Sequence, residues 1–257
     1  MMPPKPKERV GIVGVNNFGS KMEIVEYNRC DDMWVKFEEY GNLVNTTWGN
    51  FNKGSVRNPY DKSIYGIGYL GEGEYHSYES HHKPSSQYKA WSGMMTRCYS
   101  EAYLNKRPTY EICVVSEQWY NFQNFAKWYD ENYYEIEGQR MELDKDTLVK
   151  GNKVYSPETC VFVPNNINCL FTKTNSKRGD LPIGVSFYKK SKKYASHCNN
   201  GKGEKVTIGY YTSPEDAFNS YKTFKEKVIK QIAEEHKSKI PNKLYEALME
   251  YRVEITD

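Results

Sequence analysis

Nine lysine and arginine residues and only two acids, Asp180 and Glu204, lie between Lys173 and Lys205, a local charge of +7 in a chain of 257 residues whose formal total is +3. The rest of the chain therefore carries −4. Local phosphate neutralisation, more than net charge, sets non-specific DNA affinity. Residues able to meet base edges are interleaved with these lysines. Side chains alternate across a strand. If Val185, Phe187, Val206 and Ile208 face a core, then Ser186, Tyr188, Lys205 and Thr207 face away, while Ala195, His197 and Asn199 share one side of the strand between them. The expected interface to double-stranded DNA comprises Arg178, Tyr188, Lys189, Lys190, Lys192, Lys193, His197, Asn199, Lys205 and Thr207. In it the lysines, Lys202 included, take phosphates, and His197, Asn199 and Tyr188 reach base edges. The same lysines would also suit a merely solvated hairpin.

Other candidate chemistry is thinner. Cys30, Cys98, Cys113, Cys160, Cys169 and Cys198 form no C-x-x-C pair, and their gaps run from 9 to 68 residues. That spacing offers no zinc motif and no compact disulfide framework, and the thiols read as small buried hydrophobes. Gly66-Ile67-Gly68-Tyr69-Leu70-Gly71 matches the dinucleotide spacing G-x-G-x-x-G. Glu72, Glu74 and a His/Ser run follow it, in place of a helix whose N-terminus would meet a pyrophosphate. A loop between domains is expected there.

The basic segment needs elements to hold it. Gly184–Tyr188, Lys193–Asn199 and Lys205–Tyr211 read as three strands. Ser213-Pro214-Glu215-Asp216 reads as a capping box with Pro at the first helical position. It opens a long amphipathic helix through Ala217, Phe218, Tyr221, Phe224, Val228, Ile229 and Ile232, and a last helix is expected from Pro241. Upstream, the alternation in Met22–Tyr27 and Met33–Phe37, with turns at Gly19, Asn28 and Gly41-Asn42, predicts several short strands closing into a small barrel. Helical spacing of aromatic residues predicts helices over 87–99 and 116–130, the second capped by Ser116. Only 38% of the chain is hydrophobic, and it has 23 Tyr against 10 Phe, so its cores should be small and rich in half-buried rings. No segment approaches the ~20 apolar residues of a membrane span, and Met1–Lys7 has no apolar run behind it, so no membrane partner and a cytoplasmic location are expected.

Gly184-Val185, Lys193-Tyr194-Ala195, Ile208-Gly209-Tyr210-Tyr211-Thr212, Glu215-Asp216-Ala217 and Tyr221 together resemble the AP2 DNA-binding domain in order and spacing over about fifty residues. That resemblance implies a three-stranded sheet packed on one helix and reading DNA. Tyr194 stands where the family usually has Trp, and several of its sheet arginines are absent. Farther upstream, Asp144-Lys145-Asp146, Asn152, Ser156-Pro157-Glu158-Thr159-Cys160 and Asn168 resemble the ββα-metal layout of HNH, or His-Me finger, endonucleases. The combination is similar to phage-encoded proteins of that class.

The second resemblance implies phosphodiester hydrolysis with Mg²⁺ or another divalent cation. Asp144 or Lys145 falls at the position of the family's histidine base, Asn152 would fix the loop, and Asp146 and Asn168 would lie at the metal. His76, His81 and His82 would have to fold over from a distant loop. The expected fold is α+β: a small β-barrel-like domain of SH3-like size in 1–65, a central His-Me finger-like domain with aromatic helices in 66–172, and an AP2-like domain with an extra C-terminal helix in 180–257. The expected function is a metal-dependent DNA endonuclease of a phage or mobile element. The rivals are a DNA-binding protein without catalysis and an interaction protein that occupies a host or phage partner.

Overall fold

Met22 and Ile24 alternate with Glu23, and Met33, Val35 and Phe37 alternate with Trp34 and Lys36, the period-2 pattern of strands with one buried face. A computed structural model, describing residues 9–171, 180–201 and 203–257, forms them into β2 (Lys21–Arg29) and β3 (Asp32–Phe37). They are flanked by β1 (Val13–Val15) and β4 (Leu43–Thr46) in an antiparallel sheet of order β1-β2-β3-β4. The fold is mixed α+β, built from several small sheets. The expected barrel does not close, because β1 and β4 are paired only to their inner neighbours. Three and four residues are too few to wrap a cylinder. The inner face is covered instead by Phe51, from the helical turn Trp48–Asn52, and by Val56.

The chain divides into two compact units, Met1–Glu131 and Asn132–Asp257. The expected central segment 66–172 therefore falls partly in each. In the first unit, helix α1 (Ser86–Tyr99) is capped by Ser85 Oγ, which accepts from Tyr88 N at 3.2 Å. Of the face Tyr88, Trp91, Met94, Met95 and Cys98 expected from spacing, it buries the last four and leaves Tyr88 half-buried. Helix α2 (Phe122–Asn132) starts at Phe122, not near Ser116. Residues Glu117–Trp119 make a 3₁₀ turn, Ser116 caps nothing, and Asn121 Oδ1 accepts from Gln123 N at 2.9 Å. The glycine run lies inside this unit. A Cβ on Gly68 would stand 2.9 Å from Met95 and 3.0 Å from Trp91, so the backbone lies directly on α1.

The second unit has one helix as its spine. Strands β5 (Met141–Asp144) and β6 (Val161–Pro164) pair antiparallel and lead into the helical turn Asn165–Asn168. Strands β7 (Val185–Tyr188), β8 (Lys193–Asn199) and β9 (Lys205–Tyr211) form an antiparallel sheet of order β7-β8-β9. Helix α3 (Pro214–His236) is capped by Ser213 Oγ, which accepts from Asp216 N at 3.1 Å, with Pro at its first position. Its 23 residues reach about 35 Å at ~1.5 Å each. The first half buries Ala217, Phe218 and Tyr221 against Val185 and Cys198. The second half buries Val228, Ile229 and Ile232 against Val161, Val163 and Ile167, together with Leu244 and Leu248 of α4 (Asn242–Glu250).

Candidate nucleic-acid interface

The β7-β8-β9 sheet has one face on α3 and one open. Cross-strand pairs Val185–Ser196, Phe187–Tyr194–Tyr211 and Cys198–Val206 lie on the helix side. Their counterparts Ser186–Ala195–Tyr210, Tyr188–Lys193, His197–Thr207 and Asn199–Lys205 form the outer face. Tyr188, Lys193, Asn199, Lys205, Thr207 and Tyr210 are exposed there. Lys189, Lys190 and Lys192 project from the β7–β8 turn, also exposed. No acidic side chain among the described residues forms an ion pair with these five lysines, and none stands on the outer face of the strands.

Two clusters organise this face. Tyr188 and Tyr210 lie with ring centroids 5.6 Å apart, over the small buried Ala195. Beside them, His197 bridges all three strands. Its Nε2 is 3.0 Å from Ser186 Oγ and its Nδ1 is 3.2 Å from Thr207 Oγ1. Partial burial first, then the Lys205 cation, holds this imidazole below the usual histidine range. Asn199 Oδ1 accepts from Gly201 N at 2.8 Å, so that side chain shapes the β8–β9 turn as well as facing outward. Lys192 takes a left-handed backbone, φ 51°, at the tight β7–β8 turn.

The expected interface residues Tyr188, Lys189, Lys190, Lys192, Lys193, His197, Asn199, Lys205 and Thr207 thus come together on one surface. Arg178 and Lys202 lie outside the described residues. Tyr210 was missed. Strict alternation from Lys205 and Thr207 would place Tyr211 outward, but a bulge opposite Ser196–His197 inserts Ile208 and reverses the parity. Gly209, next to the inserted residue, is the sequence signal for the bulge, since a glycine inside a strand often marks one. Ser186 was placed outward by alternation, but its bond to His197 needs the register across two strands.

Around the β5–β6 hairpin the polar side chains are tied up locally. Asp144 is half-buried, and its Oδ1 accepts from Asp146 N at 2.9 Å and Thr147 N at 2.7 Å. Burial, with the neighbouring Asp146 carboxylate second, pushes its carboxyl above the usual range. Lys145 is buried, 3.2 Å from Asp146 Oδ2 and above the Tyr155 ring at 5.6 Å. Asn152 Nδ2 donates to the carbonyls of Lys145 and Val154, both at 2.7 Å, so it fixes the loop. Burial pushes the Cys160 thiol up to about 12. Lys150 Nζ meets Asp257 Oδ2 at 2.9 Å and Glu254 Oε2 at 3.4 Å. Asn168 ends the helical turn after β6, half-buried.

Mg²⁺ asks for about six oxygen donors in near-octahedral array, several of them water. The Asp144 oxygen facing the loop already holds two amides, Asp146 faces the Lys145 ammonium, and Asn152 holds carbonyls. Asp144 Oδ1 and Asp146 Oδ2 are thereby engaged within the loop, which leaves fewer side-chain oxygens than an all-protein cation cage would need. Among the described residues no three His, Cys, Asp or Glu side chains gather as ligands.

The geometry defines a class of surface, an open basic and aromatic sheet face backed by a helix. No family model, curated protein or solved structure matches the chain.

Proposed function

We propose that this protein binds double-stranded DNA through the outer face of the β7-β8-β9 sheet. The carrying observation is that face itself: two exposed tyrosines, a bridged histidine and lysines without ion-pair partners among the described residues, with no acid on the strands and the buried face of the amphipathic helix behind. Three strands ~4.8 Å apart span about 10 Å, inside a major groove about 12 Å wide. In that pose Lys189, Lys190, Lys192 and Lys193 take phosphates on one side and Lys205 on the other. Tyr188, His197, Asn199, Thr207 and Tyr210 then lie towards the base edges. The test is binding of the full chain to a short mixed-sequence duplex. Tyr210→Glu places a carboxylate at the centre of the face and should weaken binding about tenfold or more. An unchanged affinity, or stable capture of a protein partner with no duplex binding, overturns the reading.

A second reading, phosphodiester hydrolysis by a phage or mobile-element endonuclease, has one observation in its favour. Strands β5 and β6 and the Asn165–Asn168 turn follow in ββα order, with Asp144 and Asp146 adjacent. The local bonding of Asp144, Lys145 and Asn152 speaks against it. Nicking of supercoiled DNA with Mg²⁺ or Mn²⁺, lost in Asp144→Asn plus Asp146→Asn, would establish it; intact DNA throughout excludes it.

A further inference from the structure

His197 has a hydroxyl on each ring nitrogen, an arrangement that ties its protonation to what the sheet face offers a ligand. Ser186 Oγ stands 3.0 Å from Nε2 and Thr207 Oγ1 3.2 Å from Nδ1, one on each neighbouring strand. A neutral imidazole has one N–H and one bare nitrogen. It therefore donates to one hydroxyl and accepts from the other. The first hydroxyl keeps its hydrogen for an outside acceptor, while the second has its hydrogen occupied and turns only lone pairs outward. An imidazolium donates through both nitrogens. Both hydroxyl oxygens then accept from the ring, and both hydrogens are free to point outward.

We propose that His197 is a proton-operated polarity switch of the DNA-reading face. Taking up one proton on contact with DNA, it converts Ser186 and Thr207 from a donor–acceptor pair into a pair of donors. This rests on the outer face being the DNA-contacting surface. DNA in the major groove and along its backbone is rich in acceptors, namely phosphate oxygens, purine N7 and guanine O6. Two outward donors and a new positive charge match that environment better than one donor and one acceptor.

The groups around His197 set when the proton is taken up. On its own face stand Lys205 on β9, Lys193 and Tyr188 at the other end, and Tyr210. Lysines 189, 190 and 192 lie in the adjoining turn. Through the sheet, on the helix side, lie Cys198 of β8 and the buried Lys225 of α3, whose ammonium interacts with that thiol. Among the described residues the charged groups on that face are cationic, and the carboxylate of Glu204 in the β8–β9 turn accepts from Asn200 Nδ2 at 2.8 Å. Free protein therefore favours the neutral ring, and phosphates engaging Lys205 and the turn remove that opposition.

The test is duplex affinity of the full chain at fixed ionic strength between about pH 5 and pH 8. Wild type should bind more tightly as pH falls, approaching about tenfold per pH unit for one coupled proton. His197→Gln should lose most of this dependence, whatever its absolute affinity. Ser186→Ala with Thr207→Val should lose a large part of it, because charge then rises without the paired donors. A pH dependence equal to wild type in His197→Gln overturns the switch, and one equal to wild type in the double hydroxyl variant overturns its polarity mechanism. Failure of DNA binding itself is read separately: affinity at any pH that ignores replacement of Lys189, Lys190, Lys192 and Lys193 by Gln means the face does not contact DNA.

Discussion

At the scale of single residues, polar groups here divide into those that present a surface and those that hold a loop. Asp144 belongs with the second. Its carboxyl is held above its usual range by burial and by Asp146. A group whose folded pKa is raised contributes most below its unfolded pKa and loses that contribution as pH rises through the folded value. Asp144→Asn keeps an oxygen for the amides of Asp146 and Thr147 and carries no charge. Its stability should gain on wild type as pH rises from about 4 towards neutrality and match it at about pH 3. Asp144→Ala leaves two amides without their acceptor and should cost about 1–3 kcal/mol. Chemical denaturation of both variants at two pH values checks the pair. Identical behaviour of Asn and Ala would mean that the loop does not depend on this oxygen. Sequence identifies Asp144, Lys145 and Asn152 as a polar constellation. It does not reveal that one binds amides, one lies over a tyrosine ring and one binds carbonyls, because these partners are brought together by the shape of the loop.

At the scale of elements, the readable features are those with a local cause. The Ser213-Pro214 cap starts α3, and the stripes of α1 and α3 bury as their spacing requires. The three strands of the basic sheet form where alternation put them. Two of the features that escaped have a non-local cause: β1 and β4 pair only to their inner neighbours, so the first sheet stays open, and the β9 bulge brings Tyr210 outward. A third is local: α2 starts late because Asn121 Oδ1, and not Ser116, accepts from Gln123 N. Gly184 shows both kinds of cause at once. Its φ of 76° favours glycine, and a Cβ there would lie 2.1 Å from Tyr221 Cδ2. Gly184→Ala must push Tyr221 from the sheet–helix core and should destabilise by roughly 1–3 kcal/mol. Thermal unfolding monitored through the Tyr-rich sheet gives the answer; a variant as stable as wild type would show that β7 can move off the helix freely.

At the scale of the molecule, α3 links two structures that sequence treats as separate domains. One half supports the basic sheet and the other half supports the β5–β6 hairpin and α4. The second unit should therefore unfold as one cooperative body. Ile229→Ala removes a side chain only 1% exposed from the hairpin side of the spine and should cost about 2–5 kcal/mol. Hydrogen exchange should show protection falling together in β8 and in β6, whereas loss confined to the hairpin would mean the two halves unfold independently. The charge distribution belongs to this scale as well: the patch at 173–205 is +7 while the rest of the chain is −4. Such asymmetry orients one surface towards a polyanion and turns the remainder away.

DNA contact through that surface is tested most directly by the salt dependence of duplex affinity. Each lysine that neutralises a phosphate adds about 0.9 to the slope of log affinity against log salt. Replacing Lys189, Lys190, Lys192 and Lys193 together by Gln should weaken binding and lower that slope by up to about 3.6, on the same figure for four contacts. A wild-type chain that binds duplex with a steep slope, and a quadruple variant that binds with the same slope, would contradict DNA binding by this face.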